Sequence, residues 1–294
     1  MRKKLYKKLD SRQSTVKMLF LCCLLLFFVC EATSQMNDPF KWFFVETGVP
    51  YPWEATAGGS SKQSINLGNG NILSFNGDTS TTLLLEVEAR ATNDLLGPWM
   101  WNPFLGRGMK TPPPSRRDEF ALASLGAGSA LLFGGCLSDG DVTLCTDDNL
   151  LSDTWMFSTS GHGSWKQMNG EGPPARRQHV MCSLDTDKVL LHGGFGKGIP
   201  PYLFDTWIFD STSLRWTQIT PVDPGPGPRL FPALASLGPG RALMFGGHQL
   251  VFEGYPVIKQ STWVFDLSKG KGAWALVKTL NEPLARTLPV MVRA

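Results

Sequence analysis

Apolar residues in this chain come in short runs rather than long ones, and the runs recur in a fixed order. ALASLGAGSALLF at 121–133, VMCSLDTDKVLLH at 180–192 and ALASLGPGRALMF at 233–245 each hold two apolar runs broken by a small or polar turn. A glycine pair follows each one: Gly134 and Gly135, Gly193 and Gly194, Gly246 and Gly247. After a variable loop come SDTWMFS, FDTWIFD and QSTWVFD, centred on Trp155, Trp207 and Trp263, and then an outlying Trp165, Trp216 or Trp274. The runs are too short for helices and carry the alternation and β-branched or aromatic content of half-buried or buried strands. Four strands per unit are predicted.

The spacing from Trp155 to Trp207 is 52 residues and from Trp207 to Trp263 is 56. A period near fifty with four short strands per copy predicts the blades of a β-propeller, each too small to bury its own faces alone. The fold class expected is therefore all-β, built of four-stranded antiparallel blades at 60–104, 115–168, 175–219 and 228–277. A fifth begins at 285–294, so the ring is expected to be incomplete. The first blade is degraded, with Asn76 where the other copies place the first glycine, a substitution asparagine tolerates because it accepts left-handed backbone. Within the segment 35–59, KWFFVETGVPYP imitates RWTQITPVDPGPGP, which marks Trp42–Glu46 as a closing strand.

Composition supports turns over surface helices: 31 glycines and 21 prolines accompany only 18% charged residues among 294. The N-terminus departs from the rest. Residues 1–17 are basic, residues 18–30 are an unbroken apolar stretch, and Ala32 and Ser34 make a small-residue step. This predicts a secretory signal over residues 1–34, cut after Ser34, or alternatively an uncleaved anchor through residues 18–30. Without residues 1–34 the chain holds 21 basic and 23 acidic residues, a net of −2. That offers no footprint for phosphate backbones, so nucleic acid is excluded as a partner.

The glycine pairs and the paired tryptophans (155 and 165, 207 and 216, 263 and 274) resemble the kelch repeat over roughly residues 60–292. The resemblance implies a disc with loops on two faces about a central channel, closed in the family by about six or seven blades. Four blades and a fraction are then expected to leave an open flank that favours self-association. Glycines allow close backbone approach, and indoles fill the widening outer space while seeking a partner for their N–H.

Candidate chemistry is sparse. Arg116, Arg117, Arg176, Arg177, Arg229 and Arg286 open the copies and are read either as a ring near one channel mouth that binds an acidic segment, or as anchors between blades. The loops between glycine pair and tryptophan strand differ most, with 17 residues between Gly135 and Asp153 but 10 between Gly194 and Asp205. Cys136 and Cys145 share the longest loop and are expected to form a disulfide if the chain is exported. Cys182 sits in an apolar run and is expected to be a buried thiol.

Some proteins with kelch-like propellers, such as galactose oxidase, are copper enzymes, and resemblance to them would imply a site of two tyrosines, two histidines and a nearby cysteine. Here Tyr51, Tyr202, Tyr255, His162, His179, His192 and His248 are scattered without ligand spacing. Asp139, Asp141, Asp147 and Asp148 lack a calcium-loop pattern. No metal, cofactor or catalytic set is expected. The function predicted is an extracellular or surface module that binds a protein or glycan through its loop faces. The alternative is a propeller enzyme of the galactose-oxidase or sugar-processing type.

Overall fold

The computed structural model describes residues 62–68, 71–86, 112–138, 145–160, 163–198, 200–220, 225–250, 256–267, 270–278, 283–285 and 287. It adds the backbone of strands at 16–22, 26–32, 40–46, 101–103 and 292–293. The first strands are β1 (Val16–Cys22), β2 (Leu26–Ala32) and β3 (Phe40–Glu46). The first blade follows as β4 (Lys62–Asn66), β5 (Asn71–Asn76), β6 (Thr81–Glu86) and β7 (Trp101–Pro103). The second consists of β8 (Arg117–Asp118), β9 (Ala121–Gly126), β10 (Ser129–Phe133), β11 (Cys136–Leu137), β12 (Thr154–Ser158) and β13 (Ser164–Met168).

The third blade has β14 (Arg176–Arg177), β15 (Val180–Ser183), β16 (Lys188–Gly196), β17 (Tyr202–Asp210) and β18 (Arg215–Ile219). The fourth has β19 (Ala233–Gly238), β20 (Arg241–Phe245), β21 (His248–Leu250), β22 (Pro256–Ile258), β23 (Thr262–Asp266) and β24 (Ala273–Val277). Finally β25 (Val292–Arg293) pairs with β1, giving a sheet ordered β25-β1-β2-β3 from both ends of the chain. All pairings are antiparallel, and the four consecutive sheets are the blades of a propeller.

Of the residues read as a signal, 16–22 and 26–32 form β1 and β2, and Trp42–Glu46 lies in β3, the outermost strand of its sheet. In that strand Trp42 stands opposite Cys30, the register at which Trp165 stands opposite Phe157 and Trp216 opposite Phe209.

The core lies between blades rather than within them. Leu73, Phe75 and Leu84 of the first blade pack with Leu122, Leu132, Phe157 and Trp165 of the second. The same holds one step on, where Leu131 and Phe133 meet Met181, Leu191 and Phe209. At the next joint Leu190 and Ile208 meet Met244, Phe265 and Trp274. Each joint places a fourth-strand indole edge-on against aromatic rings of the same or the preceding blade.

The indole N–H has a fixed acceptor, a buried threonine on the third strand of the preceding blade. Trp165 Nε1 donates to Thr82 Oγ1 at 2.9 Å, Trp216 to Thr154 at 3.0 Å and Trp274 to Thr206 at 3.0 Å. Thr262 holds that place in the fourth blade, is fully buried, and its hydroxyl has no partner among the described residues. The Trp216 to Thr154 bond crosses a desolvated joint, so Thr154→Val should cost about 1 kcal/mol. Equilibrium urea denaturation checks this. Trp216→Phe, which also loses ring area, is expected to cost more.

Candidate interaction face

Antiparallel blades place connections in two sets. The first-to-second and third-to-fourth turns lie on one face, and the second-to-third hairpins and blade-to-blade crossings lie on the other. The second face carries every arginine read from the sequence that the structure describes.

Three of those arginines are buried and do not form an exposed ring. Arg117 is 0% exposed: its Nη1 donates to Asp153 Oδ1 at 2.7 Å and to Gly134 O at 3.1 Å, and its Nη2 donates to Asp153 Oδ2 at 2.8 Å. Arg176 repeats this with Asp205 at 2.7 Å twice and Gly193 O at 3.0 Å. Arg229 donates to Gly246 O at 3.0 Å, but Ser261 replaces the aspartate and its Oγ lies 3.3 Å away. Each arginine precedes the first glycine of its own blade by 17 residues.

That fixed distance corrects the alignment of the arginine pairs. Arg117 corresponds to Arg176, whereas Arg116 is exposed and Arg177 is not its counterpart. Arg177 corresponds to Asp118. Arg286 lies outside the described residues.

Each clamp also joins two blades through its main chain. Gly135 N–H donates to Arg176 O at 2.9 Å and Gly194 N–H to Arg229 O at 3.4 Å, while Arg117 N–H donates to Gly77 O at 3.1 Å. Both second glycines have positive φ, 93° and 103°, and a Cβ there would come within 2.5 Å of Asp118 O or 2.7 Å of Arg177 O. Only glycine fits.

Two residues after each clamp stands a non-glycine residue in left-handed backbone: Glu119, Gln178 and Phe231, with φ of 54°, 59° and 49°. Gln178 N–H donates to Glu119 O at 3.1 Å and Phe231 N–H to Gln178 O at 3.2 Å, a backbone relay running from blade to blade. Side chains reinforce it: Arg177 Nη1 reaches Glu119 Oε2 at 2.6 Å, Gln178 Nε2 reaches Glu119 Oε1 at 2.8 Å, and the Arg177 guanidinium lies 4.7 Å over the Phe195 ring. Partial burial, opposed by the Glu119 N–H and reinforced by the Glu119 and Asp78 carboxylates, lifts Asp118 to about 6. No pattern marked the left-handed positions, because glutamate, glutamine and phenylalanine are not residues that announce positive φ.

The histidines serve packing. His179 lies edge-on to Phe133, and His192 binds Thr206 Oγ1 at 3.0 Å beside Trp274. Burial, with nearby Arg176 for one and Arg229 for the other, lowers both from 6.5 to about 3. His248 binds Thr287 Oγ1 at 2.7 Å and stacks on Phe231, while Tyr202 packs on Phe195. His162, Tyr51 and Tyr255 lie outside the described residues, as do Asp139 and Asp141. Asp148 is exposed and pairs with Lys197 at 3.1 Å. Cys136 and Cys145 are joined as a disulfide, Glu119 lies close by, and Cys182 is buried with its thiol pKa pushed up.

The kelch-repeat domain defined for KLHDC2, KLHL20 and DRC7 matches residues 69–247. The chain belongs to the kelch-repeat family. A kelch-repeat F-box protein of Arabidopsis thaliana is 31% identical over 55% of this chain and 33% of its own length. Human multiple epidermal growth factor-like domains protein 8 is 30% identical over 56% of this chain and 6% of its own length. The chain thus spans a third or less of these curated relatives. The solved structure of YjhT covers 80% of this kelch chain and 69% of its own at a TM-score of 0.56, and at 14% identity that likeness speaks to the fold.

In the kelch blades, removing a clamp carboxylate leaves a guanidinium buried and unpaired. Asp205→Asn is expected to cost about 3 kcal/mol or more, and Ser261→Asp, which completes the fourth clamp, to add about 1–2 kcal/mol in low-salt buffer. Thermal and urea unfolding of both variants measure this.

His179 and His192 give a pH dependence with a fixed sign. The unfolded chain takes up protons on them below about pH 6.5. The folded chain does so only near 3, so stability falls as pH drops through that window. Phenylalanine stands at the equivalent positions 120 for His179, and 133 and 245 for His192. His179→Phe and His192→Phe should therefore flatten the dependence of the urea midpoint on pH between 7 and 4.

Proposed function

We propose that this kelch propeller is an extracellular protein-binding module whose partner docks on the face of the second-to-third hairpins. The observation that carries the reading is where exposed apolar side chains lie relative to the locked framework. Phe204 is 61% exposed, and Leu137, Val257 and Ile258 are also exposed, all on second-to-third hairpins of three successive blades. Beneath them the clamps and the left-handed relay hold the crossings rigid, so unequal hairpins project from a fixed base. Apolar groups rimmed by polar residues on a rigid face suit a protein partner. The charged centre offered by Glu119 and Arg177 is internally paired, which favours recognition by shape and apolar contact over capture of a lone ion.

The extracellular setting rests on the basic-then-apolar N-terminus and is supported by the Cys136–Cys145 bridge, since disulfides persist in oxidising compartments. A photo-crosslinking residue placed at Phe204 or Val257 of the full chain, and at Leu214 on the opposite face, tests the docking surface on the producing cells and in their medium. A discrete protein adduct from 204 and 257 but not from 214 is expected. Adducts from 214 alone, or equally from both faces, would overturn it.

A further inference from the structure

The fourth clamp is incomplete in a way that the other two define. Asp153 and Asp205 do two jobs: each holds its arginine with both oxygens and accepts the N–H of Trp155 or Trp207 at 2.6 Å. Ser261 keeps only the second job, accepting from Trp263 Nε1 at 3.0 Å. Its hydroxyl brings no charge to Arg229.

Arg229 is nevertheless as buried as its counterparts, at 2% exposure. Its donors reach Gly246 O, Pro226 O and, at 3.3 Å, Ser261 Oγ, while Nε has no partner among the described residues. No carboxylate contacts it among the described residues. Asp205 is committed to Arg176, and the nearby His192 is held neutral by burial and by Arg229 itself. Burial accordingly lowers the Arg229 pKa to about 10. A desolvated cation without a counter-charge is costly, and proteins resolve it by pairing or by binding an ion.

The vacant position is reachable. At the two complete clamps the carboxylates are 19% and 18% exposed, so the place where a third carboxylate would stand borders solvent. Ser261 Oγ accepts from Trp263 and Arg229, which leaves its own hydroxyl hydrogen to donate.

We infer that Arg229 and Ser261 form a binding site for one small monovalent anion, a carboxylate the size of formate or a chloride, standing where the other blades place an aspartate. The ion accepts from the Arg229 guanidinium and from the Ser261 hydroxyl. It restores the charge balance that Asp153 and Asp205 supply covalently.

The test is thermal unfolding of the full chain with sodium formate or sodium chloride titrated against methanesulfonate, which holds ionic strength and is too bulky for a carboxylate's place. The wild type should show a saturable rise in midpoint with formate and with chloride, as expected for a ligand of the folded state. Ser261→Asp, which fills the place, should start higher and lose the response. Arg229→Met, of similar length and without charge, should start lower and also lose it. No response in the wild type, or an equal response in Ser261→Asp, would overturn the inference.

Discussion

The structure depends on one arrangement, the arginine that is tied to its own blade by its side chain and to the preceding blade by its carbonyl. Inside its blade the guanidinium binds the aspartate that directly precedes the third-strand threonine and the carbonyl of the first glycine. Outside it, the arginine carbonyl enters the preceding glycine pair. A charge that would be costly alone becomes a joint because all five donors of Arg117, and four of the five of Arg176, find an acceptor. The geometry also explains why both glycines are required: the next blade's Arg176 O or Arg229 O occupies the volume a Cβ would need at the first, and the blade's own Asp118 O or Arg177 O at the second.

The apolar contribution is organised around the same joints. Among the described residues each buried cluster draws its side chains from two neighbouring blades. The indole of one blade is fastened to a threonine of the blade before it, so aromatic burial and polar satisfaction occur at one place. Stability in such an array is a sum of joints, and each repeat's identity matters mainly through its two flanks.

Much of this was legible in the residues. The glycine pairs, the two tryptophan positions and the alternating runs specify strands, blades and their order, because packing constraints recur with the repeat. What was not legible is telling. The doubled arginines at 116–117 and 176–177 invite an alignment one residue out of phase, and only the hydrogen bonds show that Arg117 matches Arg176. The threonine acceptors are single ordinary residues: Thr154 and Thr206 stand directly before a tryptophan, but Thr82 stands before Leu83. Glu119, Gln178 and Phe231 take left-handed backbone because the crossings demand it, against their own preference.

Arg117, Arg176 and Arg229 were candidates for binding because they recur, and for these three recurrence goes with burial in a joint. A residue needed at every joint is needed by the joint, and its functional groups are consumed there. Features that differ between copies are free to do other work: hairpins of unequal length, exposed Phe204 on one blade and Val257 with Ile258 on another, and a serine where two blades have aspartate. In a repeat framework the invariant positions thus describe how the ring holds together. Departures from the repeat are where recognition is to be sought, since the framework tolerates them only where a joint is not lost or where something else completes it.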